Sequence, residues 1–206
     1  VPYYIFDEID TTQYEQVWAG SNSAFGEVWW FYCSKASNQV DKYVIWNYQE
    51  NLWYTGSLDR STWIDSGTYP LPYATKYDGT NSTLFIHEQG KNDDGSTLTS
   101  FIESGDFDIG DGDDILFVNK LIPDFKNQVG NVNISLKSRY FPTDTQTTKG
   151  PFFYSTSSSK VNVRTRGRQI AVRLESNGYN NINNDALDED WRLGTLRFEV
   201  QPDGKR

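Results

Sequence analysis

The 206-residue sequence contains no methionine, one cysteine and one histidine. A single cysteine, Cys33, excludes a disulfide within the chain and any zinc site built from several cysteines. Cys33 lies in an apolar strand pattern, which predicts an unreactive core thiol. His87 is the one candidate base for a catalytic triad or a cysteine hydrolase, but it stands in a strand pattern beside Glu88, which favours a structural role. We therefore expect no enzymatic activity.

Other absences concern membranes and the start of the chain. No apolar run approaches the roughly 18 residues that a membrane helix needs, and no secretory hydrophobic segment follows Val1. Translation begins with Met, so either the original start has been removed or these residues are the C-terminal piece of a longer protein. The incomplete sheet repeat described below favours the second interpretation.

The composition indicates an all-β protein that is acidic overall. Aromatic residues make up 16% of the chain, and helix formers such as Ala and Leu are scarce. Aromatic and β-branched side chains suit the half-buried surface of a pleated sheet. The net charge of −9 argues against attraction of nucleic acid to the whole surface, although local basic patches remain compatible with it.

The N-terminal part shows short strands of rising polarity. Residues 27–34 are apolar on both faces, residues 41–48 and 52–58 are more polar, and residues 62–65 add a short fourth strand. Before them, a short helical turn capped near Asp10 is expected to end at Gly20.

A hairpin follows, with strands at residues 74–79 and 83–88 and a turn near Asp78 and Gly79. One complete set of strands and part of another are typical of the last blades of a β-propeller. We therefore predict one to two propeller blades over residues 1–92. Because so few blades cannot close a ring, other polypeptide is expected to complete it.

The C-terminal part, residues 93–206, is predicted to be a small antiparallel β-sandwich that begins within the polar stretch 90–96. Residues 115–122 are nearly all apolar and favour a central strand, and residues 132–136 and 196–200 alternate between apolar and polar. Between Val163 and Ile170 the alternation changes phase, which predicts a β-bulge near Gly167. The final strand, from Trp191, is interpreted as a strand used for assembly.

A basic row is the candidate site. It comprises Lys160, Arg164, Arg166 and Arg168, whose even-numbered spacing predicts that they project from one face of a strand, at least as far as the predicted bulge. Guanidinium groups in a row can bind phosphates or the carboxylates of a neighbouring subunit, while a solvated face with local salt bridges is the alternative. The net negative charge favours subunit contacts over tight DNA binding.

The sequence is compatible with two other chemistries. The cluster Asp106, Asp108, Asp111, Asp113 and Asp114 fails the EF-hand template, so a solvated turn is favoured and an irregular calcium loop stays open. Abundant tryptophans allow a second function, a glycan-binding or glycan-degrading module of a tail or cell surface, although aromatic residues at strand spacing are more often core. No metal or cofactor is expected.

Several motifs in consistent order resemble one family. They are Glu27-Val28-Trp29-Trp30-Phe31-Tyr32, Asp41-Lys42-Tyr43-Val44, Leu58-Asp59-Arg60-Ser61-Thr62-Trp63, His87-Glu88-Gln89-Gly90, Asp108-Ile109-Gly110-Asp111-Gly112-Asp113, Ile122-Pro123-Asp124-Phe125, Lys149-Gly150-Pro151, Arg166-Gly167-Arg168-Gln169-Ile170, Trp191-Arg192-Leu193-Gly194 and Pro202-Asp203-Gly204-Lys205-Arg206. Together they resemble the C-terminal part of the nozzle proteins of short-tailed bacteriophages, also called tail tubular protein B or packaged-DNA stabilisation protein.

The resemblance implies a structural virion protein in the phage tail. It implies a homo-oligomeric ring, typically of six copies, around a channel in which DNA is retained and through which it is ejected. Expected partners are other copies, further tail proteins such as the adaptor and the tail fibres, and viral DNA in transient contact. The resemblance carries no catalytic residues, and members of the family are several-fold longer than this chain.

Overall fold

The computed structural model describes residues 2–108, 112–177 and 189–205. Strands account for 57% of the chain and helices for 6%, and the sheets are antiparallel and open, so the prediction of an all-β protein is confirmed. The chain forms two compact units, Val1–Gln89 and Gly90–Arg206. None of the helices in the described residues is long and apolar enough to cross a membrane.

The first unit begins with helix α1, Pro2–Glu8, and a 3₁₀ helix, Thr11–Gln16. Asp10 caps the 3₁₀ helix as predicted, since its carboxylate accepts a hydrogen bond of 2.9 Å from the Thr12 N–H. The expected end at Gly20 is wrong, because Gly20 lies inside strand β1, Trp18–Asn22, which the sequence analysis did not predict.

Four consecutive strands form the first sheet, each paired with the next along the chain. They are β1, β2 (Glu27–Tyr32), β3 (Lys42–Asn47) and β4 (Leu52–Ser57). The predictions of strands at 27–34, 41–48 and 52–58 are confirmed. One face of this sheet carries Trp29, Phe31 and Ile45 into the core of the unit, where Trp63 packs against them.

Three further strands form the second sheet of this unit, in the order β5 (Thr62–Ile64), β6 (Tyr73–Tyr77) and β7 (Ser82–Ile86). The predicted hairpin corresponds to β6 and β7. The assignment of residues 62–65 to the first set of strands is wrong, because Thr62–Ile64 pairs with β6. Trp63, in β5, packs against the core face of the first sheet.

The second unit starts with a short hairpin, β8 (Asn92–Asp93) and β9 (Ser96–Thr97), and continues with two open sheets. One sheet has the order β10 (Phe101–Glu103), β15 (Gln169–Ser176), β12 (Val132–Arg139) and β13 (Thr147–Tyr154). The other has the order β14 (Val161–Gly167), β11 (Asp114–Val129) and β16 (Asp190–Lys205). Strand β11 is central, as residues 115–122 predicted.

Both sheets of the second unit contribute side chains to one apolar core. Its buried members are Leu116, Val118, Leu121, Val132, Ile134, Leu136, Tyr154, Val161, Val163, Ile170, Val172 and Leu174. The predicted bulge near Gly167 does not explain the change of phase: β14 has one extra residue at Val163–Arg164 relative to β11, but its burial keeps alternating up to Gly167. Arg168 is instead a one-residue corner at which the chain leaves β14 for β15 in the other sheet, and this change of sheet reverses the phase of burial.

Candidate functional site

The outward face of the sheet β14–β11–β16 carries the candidate basic site. Phe117 in the central strand lies opposite Arg166 on one side and Gln201 on the other. Lys120 lies in the same way opposite Asn162 and Glu199. Side chains directly opposite each other in antiparallel strands share a face, so these two rows lie on the face turned away from the core.

Three of the four predicted basic residues lie on or beside this face. Arg164 and Arg166 are exposed and alternate with the buried Val163 and Thr165, and Lys160 is exposed just before β14 begins. Arg164 has φ +53°, at the point where β14 contains an extra residue relative to β11. This bulge keeps both arginines outside the core.

Arg168 does not belong to the same row. It is half-buried at the corner after β14, with its guanidinium carbon 5.5 Å from the centre of the Phe141 ring. Its Nη1 also lies 3.4 Å from the Gly112 carbonyl oxygen. Arg168 therefore has local structural contacts, and the basic row on β14 ends at Arg166.

Sequence reasoning missed four basic residues that the pairing adds to this face: Lys120, Lys126, Arg192 and Arg197. Lys126 lies opposite Arg192, and Arg197 lies opposite Ile122. Alternation within each strand shows which of its side chains share a face. These four cations come together only through the register between β11 and β16, whose paired residues are more than 60 positions apart. Such a register leaves no signal in the local sequence.

This face carries seven basic side chains in all: Lys160, Arg164 and Arg166 from the prediction and the four that it missed. Three of the seven are paired with acidic side chains on the same sheet. Lys120 pairs with Glu199 at 2.5 Å, Arg197 pairs with Asp124 at 2.7 Å, and Arg166 pairs with Asp203. The hydrogen bond from Lys120 is the main cause that lowers the pKa of the Glu199 carboxyl, and a second comes from Asn119.

The other four cations of this face are Lys126, Lys160, Arg164 and Arg192. Within the described residues, no acidic side chain lies within salt-bridge distance of any of them. We call this surface, with all seven basic side chains, the basic face. It has a net positive charge although the protein as a whole is acidic.

The acidic excess is concentrated in the first unit. Residues 1–89 contain 11 acidic and 4 basic side chains, whereas residues 90–206 contain 17 acidic and 15 basic ones. The basic face therefore belongs to the unit that is close to neutral, and the other unit supplies most of the negative charge.

The other candidate residues have structural surroundings. His87 Nε2 accepts a hydrogen bond of 2.9 Å from Nε of the buried Arg60, and its ring lies 4.8 Å from that of Trp63. Cys33 is 1% exposed, which confirms the predicted core position, and burial is the main cause that raises the pKa of its thiol.

The acidic cluster is described only in part, because residues 109–111 lie outside the described residues. Asp106 accepts hydrogen bonds from Arg139 and Gln146, so its carboxylate is engaged with protein groups. In the ranges 2–108, 112–177 and 189–205, no group of three His, Cys, Asp or Glu side chains is placed to hold a metal ion.

The first sheet has aromatic side chains on both faces. Trp29 and Phe31 lie on the face that enters the core. The register places Trp30, Trp46 and Trp53 on the opposite face, with ring centres 6.0 Å apart for Trp30 and Trp53 and 6.1 Å apart for Trp46 and Trp53. Trp53 is 47% exposed. We call this second surface the tryptophan face.

Strand β4 is also an edge of the first sheet. Leu52, Trp53 and Tyr54 are all exposed, and the pairing of β4 with β3 has no register shift. By contrast, the edge strand β16 contains charged residues and Pro202, and its pairing with β11 shifts register at four places. Charges, proline and bulges protect sheet edges from pairing with other chains, so β4 is the less protected edge.

No family model matches the sequence, and no curated protein matches it.

Proposed function

We propose that the protein is a structural component of a phage tail nozzle, without enzymatic activity. In this proposal it lies in the virion as part of a homo-oligomeric ring, expected to contain six copies, around the channel for DNA. The observation that carries the proposal is the first sheet, a four-stranded antiparallel meander with aromatic side chains on both faces.

A propeller blade has this organisation, because neighbouring blades cover both of its faces. In the first unit, the sheet β5–β7 supplies Trp63 to one face of the meander. The tryptophan face is the surface on which a further blade would pack, and a partly exposed layer of three tryptophans favours such contact. The two sheets of the second unit, with their common core, fit a small β-sandwich.

Charge supports assembly from several copies. The basic face of one copy is complementary to the acidic first unit of the next, and this contact joins two different surfaces. Contacts of this head-to-tail kind produce rings when the rotation closes. Acidic surface elsewhere on the protein would weaken its attraction for DNA and allow DNA to slide through the channel.

The test measures association directly. Sedimentation velocity at low and high salt should show oligomers of the wild-type chain that weaken as salt rises, because the contact is between opposite charges. Arg164→Glu should weaken association about tenfold, the effect of losing one or two charge contacts at an interface. Arg164→Lys, which keeps a positive charge at the same position, is the matched control and should assemble like the wild type.

A reconstruction of the virion that carries this chain tests the location. Copies arranged around the tail channel would support the proposal. A protein that stays monomeric at every salt concentration, and that is absent from the tail in the reconstruction, would contradict it.

A further inference from the structure

A cleft in the first unit has the size and the chemistry of a ligand site. Its volume is about 690 Å³, within the range of small-molecule sites. It lies between the 3₁₀ helix, the start of β1, the loop between β2 and β3, and the turn between β6 and β7. All of these belong to one compact unit, and the cleft is separate from the basic face.

One part of the wall is fixed by Arg60, which is 5% exposed. Its Nε donates to His87 at 2.9 Å, its Nη1 donates to the Asp59 carbonyl oxygen at 3.0 Å, and its guanidinium lies 4.1 Å from the centre of the Phe85 ring. Asp59 pairs with both Arg60 and Lys76. The two cations of the cleft are therefore already engaged with protein groups.

The remaining charge of the lining is negative. The lining contains four carboxylates, those of Glu15, Asp41, Asp59 and Asp78, and only two basic side chains. An excess of carboxylates disfavours phosphates, nucleic acid and acidic sugars, because like charges repel at short range. The preferred ligand is therefore neutral or positively charged.

Several hydrogen-bonding groups of the cleft have no partner among the described residues. The side chains of Glu15, Asn38 and Gln39 make no hydrogen bond there. Amides both donate and accept, and a carboxylate accepts. This mixture matches hydroxyl groups, which also donate and accept.

Aromatic rings line the same cleft. The Trp18 ring stacks on Phe31 with the ring centres 4.2 Å apart, which fixes its position, and Tyr77 is 47% exposed. Rigid aromatic surfaces beside unpaired donors and acceptors suit a ligand with apolar C–H faces and polar edges.

We propose that this cleft binds a neutral, hydroxyl-rich ligand, namely a short oligosaccharide. A polyamine fits the negative charge, but its ammonium groups only donate, so it offers no acceptor to the amide N–H groups of Asn38 and Gln39. Binding here is independent of ring assembly, so either proposal can fail without the other.

The experiment titrates the full ¹⁵N-labelled chain with a panel of neutral oligosaccharides, and separately with a sialylated oligosaccharide, inorganic phosphate and spermidine. Trp18→Phe removes one indole N–H and retains a ring against Phe31, so the missing resonance identifies Trp18. A neutral oligosaccharide should shift that resonance. The double variant Asn38→Ala, Gln39→Ala should lose affinity about tenfold, the effect of removing two hydrogen bonds.

Gln89→Ala is the matched control, since Gln89 is an exposed amide outside the cleft, and it should bind like the wild type. Asn38 and Gln39 are exposed, so unchanged melting temperatures are expected for their variants. Arg164→Glu should retain binding, which separates this site from the basic face. The proposal is overturned if no neutral oligosaccharide binds, if spermidine or an anion is preferred, or if the double variant binds normally.

Discussion

The backbone of Gly20 in β1 lies against the indole ring of Trp63 in β5. A Cβ atom at residue 20 would lie 2.9 Å from Cδ1 of Trp63, and Trp63 Nε1 donates a hydrogen bond of 2.8 Å to the neighbouring Ser21 carbonyl oxygen. The Trp63 ring also lies 5.1 Å from that of Trp29 in the core. This contact joins the two sheets of the first unit.

Gly20→Ala should therefore destabilise the first unit. Alanine is preferred to glycine within a strand by about 0.5–1 kcal/mol, but forcing an extra methyl group into a packed site costs about 1–3 kcal/mol. We expect a net loss of roughly 1–2 kcal/mol in the free energy of unfolding, measured by urea denaturation followed through tryptophan fluorescence.

Gly105→Ala is the control for this substitution. A Cβ at residue 105 would have no neighbour within 4 Å, and Gly105 does not have a positive φ. Its variant should be as stable as the wild type or slightly more stable. Equal stability of the Gly20 variant and the wild type would show that the two sheets do not meet through this contact.

Gly20 also shows why the sequence predicted three strands of the first sheet but not β1. Strands β2 and β3 are rich in aromatic and β-branched residues, which is a local signal. Strand β1 reads Trp-Ala-Gly-Ser-Asn, and its glycine is present because Trp63 requires the space. Trp63 is 43 positions away in the sequence. The local pattern around Gly20 therefore predicted, wrongly, the end of a helical turn.

The same limit applies to the basic face. Alternation showed that Arg164 and Arg166 share a side of their strand. It could not show that Arg168 turns a corner into another sheet, or that Lys120 and Arg192 join the face. The position of Arg168 follows from the packing of two sheets on one core, and the positions of Lys120 and Arg192 follow from strand register. Both arise only when segments that are distant in the sequence pair in the fold.

Cys33 should be inert towards thiol reagents in the folded protein. Its side chain is 1% exposed, and burial raises the pKa of the thiol, so both access and the thiolate fraction are low. Ellman's reagent should react with less than about a tenth of the native protein in the time that modifies the urea-unfolded protein fully. Rapid reaction of the native chain would contradict the buried position.

Glu103 should contribute to stability in a pH-dependent manner. Its carboxylate in β10 accepts hydrogen bonds from Lys137 and, at 3.0 Å, from Arg173, and the bond from Lys137 is the main cause that lowers its pKa. A carboxyl group with a lowered pKa in the folded state stabilises the protein above the unfolded-state pKa. This contribution is lost as the pH falls through the folded-state pKa.

Glu103→Gln should therefore be less stable than the wild type at pH 7, by about 1 kcal/mol or less because the pair is partly exposed. The difference should begin to shrink as the pH falls below the ordinary glutamate pKa of about 4.3, and it should vanish below the lowered folded-state pKa. Urea unfolding of both proteins at pH 7, 4 and 3 checks this. Glu50→Gln, at an exposed carboxylate without an ion pair among the described residues, is the control, and a Glu103 effect that is constant with pH would contradict the ion-pair explanation.

The two edge strands β4 and β16 should respond differently to the same substitution. An exposed, regular and apolar edge offers unpaired backbone groups to another chain, and one lysine on such an edge disfavours that pairing. Thr55 is an exposed residue in the regular strand β4, and Thr195 is an exposed residue in the bulged strand β16.

We expect Thr55→Lys to raise several-fold the concentration at which the protein self-associates. Thr195→Lys should change that concentration little, because bulges already protect β16. Sedimentation velocity over a concentration series measures both variants, and circular dichroism verifies that they fold. A larger effect at Thr195 would identify β16, rather than β4, as the strand that pairs between copies.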